Sequence, residues 1–398
     1  MPEGTGTHEV TFANGPVTLA GSLSLPDGAG AGAGCAGVVL VGGSGDTDRD
    51  NDTYFPPLRR RLVAAGLAVL SYDKRGVGAS GGDWHASTLA DLAGDAHAAL
   101  DHLGAHPLVR AGAVGLFGHS EGGWVALRAA AAHGGLPWVV TNSCPGTTPA
   151  VQERHALAQV LRRTARISRE EAESVLAVYD DLVEAGRNGA GFATASRLVD
   201  SAGSPGLATF WAGVDAPVWE FLKRKQDHDP LPDARRLRCP HLAVFGGADP
   251  LVPVTESVRL FTATARTPGR DTRATLTVEV FPGADHRVRT DEGTRLAPGY
   301  PERLTRWIAE RTPAAPAPRP TTRRPTAPGP ATPGPAASGP AAPGPATSGP
   351  GPPAAPDPAA PRPTPHPARR PTPRPTPRPT GERTSRPGPA DRPRIPRE

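Results

Sequence analysis

Ala113-Val114-Gly115-Leu116-Phe117 runs directly into Gly118-His119-Ser120-Glu121-Gly122, and a helix-like run from Gly123 to Ala132 follows at once. The apolar pentapeptide reads as a buried strand, and the G-x-S-x-G that follows it reads as a sharp turn. Its glycines permit the strained backbone that lifts the serine Oγ clear of a sheet. In a chain with 47 Gly a G-x-S-x-G alone would carry little weight. A strand before it and a helix after it are the conditions that make Ser120 a candidate nucleophile rather than a chance Gly-Ser turn.

Outward from this junction the same alternation continues. Strands are predicted at Gly37 to Val41, Ala68 to Tyr72, Ala113 to Phe117, Trp138 to Thr141, His241 to Phe245 and Thr275 to Phe281. Helices are predicted at Tyr54 to Ala65, Thr88 to Leu103, Gly123 to Ala132, Val254 to Ala265 and Pro301 to Glu310. Continuous apolar strands alternating with helices predict an α/β fold, a mainly parallel central sheet with helices on both faces. His8 to Phe12 and Val17 to Leu25, joined through Asn14-Gly15-Pro16, predict an antiparallel hairpin at its start.

The interval from Pro145 to Arg238 contains no convincing strand. It does contain a capping box, Ser168-Arg169-Glu170-Glu171, followed by Val175, Leu176, Tyr179, Leu182 and Val183 at helical spacing. A structureless loop of that length is improbable in a compact domain, so 145–238 is expected to be a helical cap inserted between two parts of the core, 1–144 and 239–311. Phe192, Phe210, Trp211, Trp219 and Phe221 are its candidates for lining an apolar substrate cavity, although packing the cap onto the body would use the same residues.

Of the 50 prolines, 30 fall in residues 312–398, among Ala-Pro-Gly-Pro and Arg-Pro-Thr-Pro repeats. Such a composition cannot bury a core, so a disordered, polyproline-like tail of unknown partner is expected. The tail carries 13 Arg against four acidic residues, a balance of +9, so the net charge of +5 leaves residues 1–311 at −4. The folded body is therefore not expected to bind nucleic acid. Only Lys74, Lys223 and Lys225 are lysines; the other basic residues apart from histidine are arginine. Cys35, Cys144 and Cys239 are isolated, with neither a disulfide framework nor metal-ligand spacing, and no metal or cofactor is expected. No leader-like segment or run of about 18 apolar residues is found, so the expectation is a soluble, cytoplasmic protein.

A serine hydroxyl needs a base within hydrogen-bond reach and a group to orient that base. On a sheet of this kind the partners follow in the order Ser, acid, His, each at a strand end. Gly246-Gly247-Ala248-Asp249-Pro250 follows one strand and Gly283-Ala284-Asp285-His286 follows the next. His286 is the expected general base and Asp249 its orienter. Asp285 competes by position, but adjacent side chains orient one another poorly. For the oxyanion of a tetrahedral intermediate, the N–H of Glu121 is one donor by position. The second is expected from Val41-Gly42-Gly43-Ser44-Gly45, from either Gly43 or Ser44. That loop lacks the Lys and Ser/Thr of a phosphate-binding P-loop.

These motifs carry a family resemblance. Gly43 to Asp52 (GSGDTDRDND), Tyr72 to Ser80 (YDKRGVGAS) and Gly118 to Gly123 (GHSEGG) resemble the α/β-hydrolase superfamily, in particular bacterial serine esterases with a GSGxTDRDGN-like loop. The later DPL at Asp229 to Leu231 and CPHLAVFGGADPLVP from Cys239 fit the return from cap to acid loop. The resemblance covers about residues 8–310. One departure is visible: Asn51-Asp52 stands where the pattern has Gly-Asn. Asp48, Arg49, Asp50, Asp73 and Arg75 are expected to brace this region rather than touch substrate.

The resemblance implies a serine carboxylesterase acting on small-molecule esters of short or medium acyl chains. Alternatives within hydrolysis are an acyl-CoA thioesterase or an aminoacyl peptidase; the β-propeller usual in prolyl-oligopeptidase-type enzymes does not fit before Ser120. Dehalogenase and epoxide-hydrolase chemistry is excluded, because it needs a carboxylate where Ser120 stands. An alternative of another class is a non-catalytic ligand-binding protein of the same fold.

Overall fold

The computed structural model describes residues 6–29, 34–163, 167–291 and 293–313. Apart from Thr312 and Pro313, the stretch expected to be a disordered tail lies outside the described residues.

The chain opens with β1 (Thr7–Asn14) and β2 (Val17–Ser24), an antiparallel hairpin turned at Gly15, whose φ is +56°. Six further strands follow: β3 (Cys35–Val41), β4 (Leu67–Tyr72), β5 (Val109–His119), β6 (Val139–Asn142), β7 (His241–Gly246) and β8 (Leu276–Phe281). They form one eight-stranded sheet in the order β1-β2-β4-β3-β5-β6-β7-β8, parallel from β4 onward. The core is split by the sheet, because successive side chains of a strand point to opposite faces. Val39 and Leu116 pack with Leu100 and Leu103 of α2 (Leu89–Gly104) and Trp124 and Val125 of α3 (Glu121–His133). Val38, Leu40 and Phe117 pack on the other face with Leu58 and Leu62 of α1 (Phe55–Ala64) and Leu304 and Trp307 of α11 (Tyr300–Arg311).

β5 begins four residues earlier than its apolar run suggests. The register against β3 shifts between Cys35 and Gly37, opposite Val109 and Val114, and Gly112 adopts φ +71°. This irregularity places the charged, half-buried Arg110 and the exposed Ala111 and Gly112 inside the strand and hides its start from a pattern based on hydrophobicity. A small hairpin, β9 (Arg289–Thr290) with β10 (Arg295–Leu296), was also not anticipated.

Between β6 and β7 lie six helices: α4 (Pro149–Arg163), α5 (Arg169–Arg187), α6 (Phe192–Ser201), α7 (Pro205–Trp211), α8 (Ala216–Lys225) and α9 (Leu231–Arg236). The Ser168 capping box is formed, with Ser168 N–H donating to Glu171 at 2.7 Å and Glu171 N–H to Ser168 Oγ at 3.1 Å. These helices have a core of their own, built from Leu157, Leu161, Val175, Leu182, Val199, Leu207 and Trp219. α10 (Val254–Ala265) then leads from β7 to β8. Among the described residues no helix is long and apolar enough to cross a membrane.

Two buried histidines tie stability to pH. Burial, reinforced by Arg270, pushes His241 down to about 3, and its Nε2 lies 2.9 Å from Thr141 Oγ1. Burial, reinforced by His286 and Arg287, holds His119 well below the ordinary histidine value. Both stay neutral in the fold but take up a proton on unfolding once the pH is below about 6.5, so stability falls as the pH falls through that window. Together they are expected to cost about 2 to 3 kcal/mol per pH unit below roughly pH 6. Urea unfolding at pH 7.5, 6.0 and 5.0 should show this slope, and His241→Gln should remove about half of it. A flat profile would contradict the assignment.

Candidate active site

Ser120 occupies the turn between β5 and α3 with φ 53° and ψ −122°, outside the regions a side chain prefers. Its N–H donates to Asn142 O at 2.9 Å, and its carbonyl accepts from Gly123 N–H at 2.8 Å. The flanking glycines are required by close approach. A Cβ on Gly118 would lie 2.1 Å from Gly122 O, and one on Gly122 would lie 2.4 Å from the carbonyl oxygens of Val41 and Gly42. The turn is thus wedged against the end of β3.

β7 and β8 continue the same parallel sheet, so the loops after them emerge at the edge where Ser120 sits. Asp249 Oδ2 and His286 Nδ1 are 2.8 Å apart, and both side chains are almost wholly buried. The other oxygen, Oδ1, accepts from the N–H groups of Leu251 at 2.8 Å and Val252 at 3.1 Å, which fixes the carboxylate plane. Asp285 instead accepts from the N–H groups of Arg287 and Arg289 in its own loop. The imidazole of His119 lies between Tyr54 and His286, at ring-centroid distances of 4.7 and 4.9 Å. Beneath them Tyr300 Oη donates to Asn142 Oδ1 at 2.8 Å and lies 3.1 Å from Tyr54 Oη. His119, held neutral, gives His286 a ring to pack on without a competing positive charge.

The strand order, the crossovers and the strained serine turn after β5 together decide the architecture. It is an α/β-hydrolase fold. Residues 36–188 match the family model described as Serine aminopeptidase, S33. Among solved structures, this α/β-hydrolase fold is similar to an esterase from Pyrococcus furiosus, at 18% identity and TM-score 0.51 over 77% of this chain and 90% of that one. It is also similar to DcsB, solved in complex with a substrate analogue, at 18% identity and TM-score 0.52 over 78% of this chain and 100% of that one. No curated protein sequence matches the chain.

Two loops of the α/β-hydrolase core frame the space beside Ser120. In the loop after β3, Gly43 N–H donates to Asn51 Oδ1 at 3.0 Å, in a buried position. That amide is therefore engaged within the loop, while Ser44 Oγ lies 3.4 Å from Glu121 Oε2. Asn51 and Asp52, where the chain departs from the Gly-Asn pattern, both adopt positive φ, 45° and 59°. Asn tolerates that conformation better than most residues. Asp52 pairs with Arg287, next to His286, at 2.9 Å. Arg49 grips Asp73 through two parallel bonds of 3.0 and 2.8 Å and also reaches Glu9. Arg75 grips Asp95 through two bonds of 2.7 Å, and Asp48 Oδ1 accepts from Asp50 N–H. These charges brace loops.

Glu121 is 1% exposed, yet its carboxylate is charged. Burial opposes ionisation, but Lys225 at 2.6 Å and Lys74 at 3.1 Å outweigh it and bring Glu121 to about 2. Neither lysine was singled out in the sequence as a site residue.

A cavity of about 580 Å³ lies under the helical insertion. Leu182, Leu207, Phe210, Trp211, Trp219 and Phe221 are among its apolar walls, and it extends to Ser44 and Gly45 on one side and Pro250 and Leu251 on another. Of the five aromatic candidates only Phe192 is absent from the wall; it stacks on Trp211 from behind, at 6.3 Å. Its charged lining residues are Glu153, Arg163 and Lys225.

Proposed function

We propose that this protein is a serine hydrolase, a carboxylesterase for esters with an apolar acyl group. The observation that carries the reading is the His286–Asp249 pair on the loops after β8 and β7, at the sheet edge where Ser120 stands in its strained turn. In this reading Ser120 Oγ attacks the ester carbonyl while His286 Nε2 takes its proton, and Asp249 stabilises the imidazolium. The N–H of Glu121 and one from the loop after β3, that of Gly43 or Ser44, receive the oxyanion. Collapse of the intermediate breaks the ester C–O bond, and His286 returns the proton to the leaving alcohol. Water, deprotonated by His286, then attacks acyl-Ser120 and releases the acid.

An ester rather than an aminoacyl substrate is favoured by the cavity. Capture of an α-ammonium group requires a net negative site, whereas the charged lining residues are one acid and two bases within mostly apolar walls. The volume falls within the range of roughly 300 to 1,000 Å³ typical of small-molecule sites. The test is a panel of p-nitrophenyl esters from acetate to laurate, run beside acyl-CoA thioesters and aminoacyl p-nitroanilides. Highest kcat/KM on the oxygen esters supports the reading; highest kcat/KM on thioesters or anilides, or turnover of none, contradicts it.

Ala156, on α4, is a buried part of the cavity wall. Ala156→Phe should fill space there and shift preference toward shorter acyl chains, lowering kcat/KM for octanoate about tenfold or more relative to acetate, on the scale of 1 to 3 kcal/mol per misfit group in an apolar pocket. An unchanged octanoate-to-acetate ratio would remove the cavity from the acyl-binding role.

A further inference from the structure

Asp249 is followed by Pro250, Leu251, Val252 and Pro253. Proline has no N–H to give, so in this stretch only Leu251 and Val252 can donate. Both do, to the same oxygen, Asp249 Oδ1, at 2.8 and 3.1 Å. The plane of the carboxylate therefore depends on how these two amides are aimed, and with it the direction of Oδ2, which lies 2.8 Å from His286 Nδ1. Leu251 C=O and Val252 N–H belong to one peptide unit, which is planar and trans, so they point in opposite directions. Whatever holds that carbonyl aims that N–H.

The group that holds it comes from the helical insertion. Gln152 Nε2, in the first turn of α4, donates to Leu251 O at 3.0 Å. A carbonyl can only accept, so the side-chain amide is fixed with its nitrogen toward the loop. The donor is itself held in place. Gln152 is 9% exposed, and two residues before it Ala150 N–H donates to Gln226 O at 3.0 Å while Ala150 O accepts from Tyr179 Oη at 3.2 Å. A chain thus runs from α4 through one peptide unit to Asp249 and on to His286, with heavy-atom separations of 3.0, 3.1 and 2.8 Å. Each bond in such a chain polarises the next, so the Gln152 amide also strengthens Val252 N–H as a donor to the carboxylate.

Building on the serine-hydrolase reading, we propose that Gln152 is a positioning residue for the catalytic base, through which the helical insertion orients the Asp249 carboxylate and hence the His286 imidazole. It acts through the peptide it holds rather than on the reacting atoms. Gln152 and Leu251 both border the cavity under the insertion, so one side chain is at once part of the cavity wall and part of the support of the base. A substrate too short to draw its binding from the cavity walls separates these two roles.

The experiment compares wild type with Gln152→Met and Gln152→Ala, which remove the donor with and without keeping the side-chain volume, and with Gln152→Lys, whose ammonium can donate to Leu251 O instead. Should the Met or the Ala variant fail to fold, as circular dichroism would show, the other carries the comparison. The substrate is p-nitrophenyl acetate, and the second readout is the downfield proton resonance of the His286 Nδ1–H that faces Asp249. For the Met and Ala variants the expected result is a fall in kcat of about tenfold, on the scale of one hydrogen bond, with KM within about threefold of wild type. The resonance should shift or vanish in both. Gln152→Lys should restore the rate to within about threefold of wild type and return the resonance. A purely structural role, tying the insertion to the body, would lower thermal stability and leave both readouts unmoved. Retention of kcat within about threefold in the variants without a donor, a rise in KM alone, an unmoved resonance, or a Lys variant as slow as the Met variant would overturn the proposal while leaving the serine-hydrolase reading intact. Wild type that turns over no ester would overturn that reading, and this proposal with it.

Discussion

Ser120→Ala should lower kcat by on the order of 10⁶-fold, to a residue of activity supplied by binding and the oxyanion site alone. The size follows from its being the atom that forms the acyl bond; the Cys144 thiol is no substitute, since it is buried and burial pushes its ionisation well above the ordinary value. The same substitution should leave stability almost unchanged. Ser120→Gly should go further and raise it by about 1 kcal/mol, because glycine adopts φ 53° without the strain that a side chain carries there. Thermal unfolding of the three proteins beside initial rates checks both statements. Activity within tenfold of wild type in Ser120→Ala would show that the turn has a different use.

Asp249→Asn should lower kcat by about 10⁴-fold with the fold preserved. The substituted side chain retains an oxygen able to accept from Leu251 and Val252 N–H, so the loop after β7 stays in place. Its amide nitrogen would then face His286 Nδ1, where the carboxylate now sits at 2.8 Å. Two donors cannot share that position, so the imidazole is driven to the tautomer that leaves a proton on Nε2, where it cannot accept one from Ser120. A loss smaller than tenfold would mean that another group orients His286. Asp285 would then be the one to test, although its carboxylate is turned to the amides of Arg287 and Arg289.

How far the sequence discloses this site depends on the range of each interaction. Ser120, Asp249 and His286 each follow an apolar strand and sit among glycines, a local signal, and the parallel topology brings the loops that carry them to one edge of the sheet. The choice between Gly43 and Ser44 is not legible from spacing. Gly43 N–H is held by the side chain of Asn51, eight residues away, at the position where the chain departs from the familiar pattern, a contact no local signal discloses. Lys74 and Lys225 were visible only as two of three lysines, a scarcity with no address until folding brings them to Glu121. In the helical insertion the capping box at Ser168 and the spacing of Val175, Leu182 and Val183 identify α5. The shorter α6, α7 and α8 carry too few turns for a periodic signal, and their packing about the cavity depends on contacts distant in sequence.

The most direct test of the central claim is the mass of the intact protein after treatment with a fluorophosphonate, followed by mapping of the modified peptide. The expected result is a single adduct on wild type, located at Ser120, and none on Ser120→Ala. An unlabelled wild type, or a Ser120→Ala variant that takes the label equally well, would contradict it.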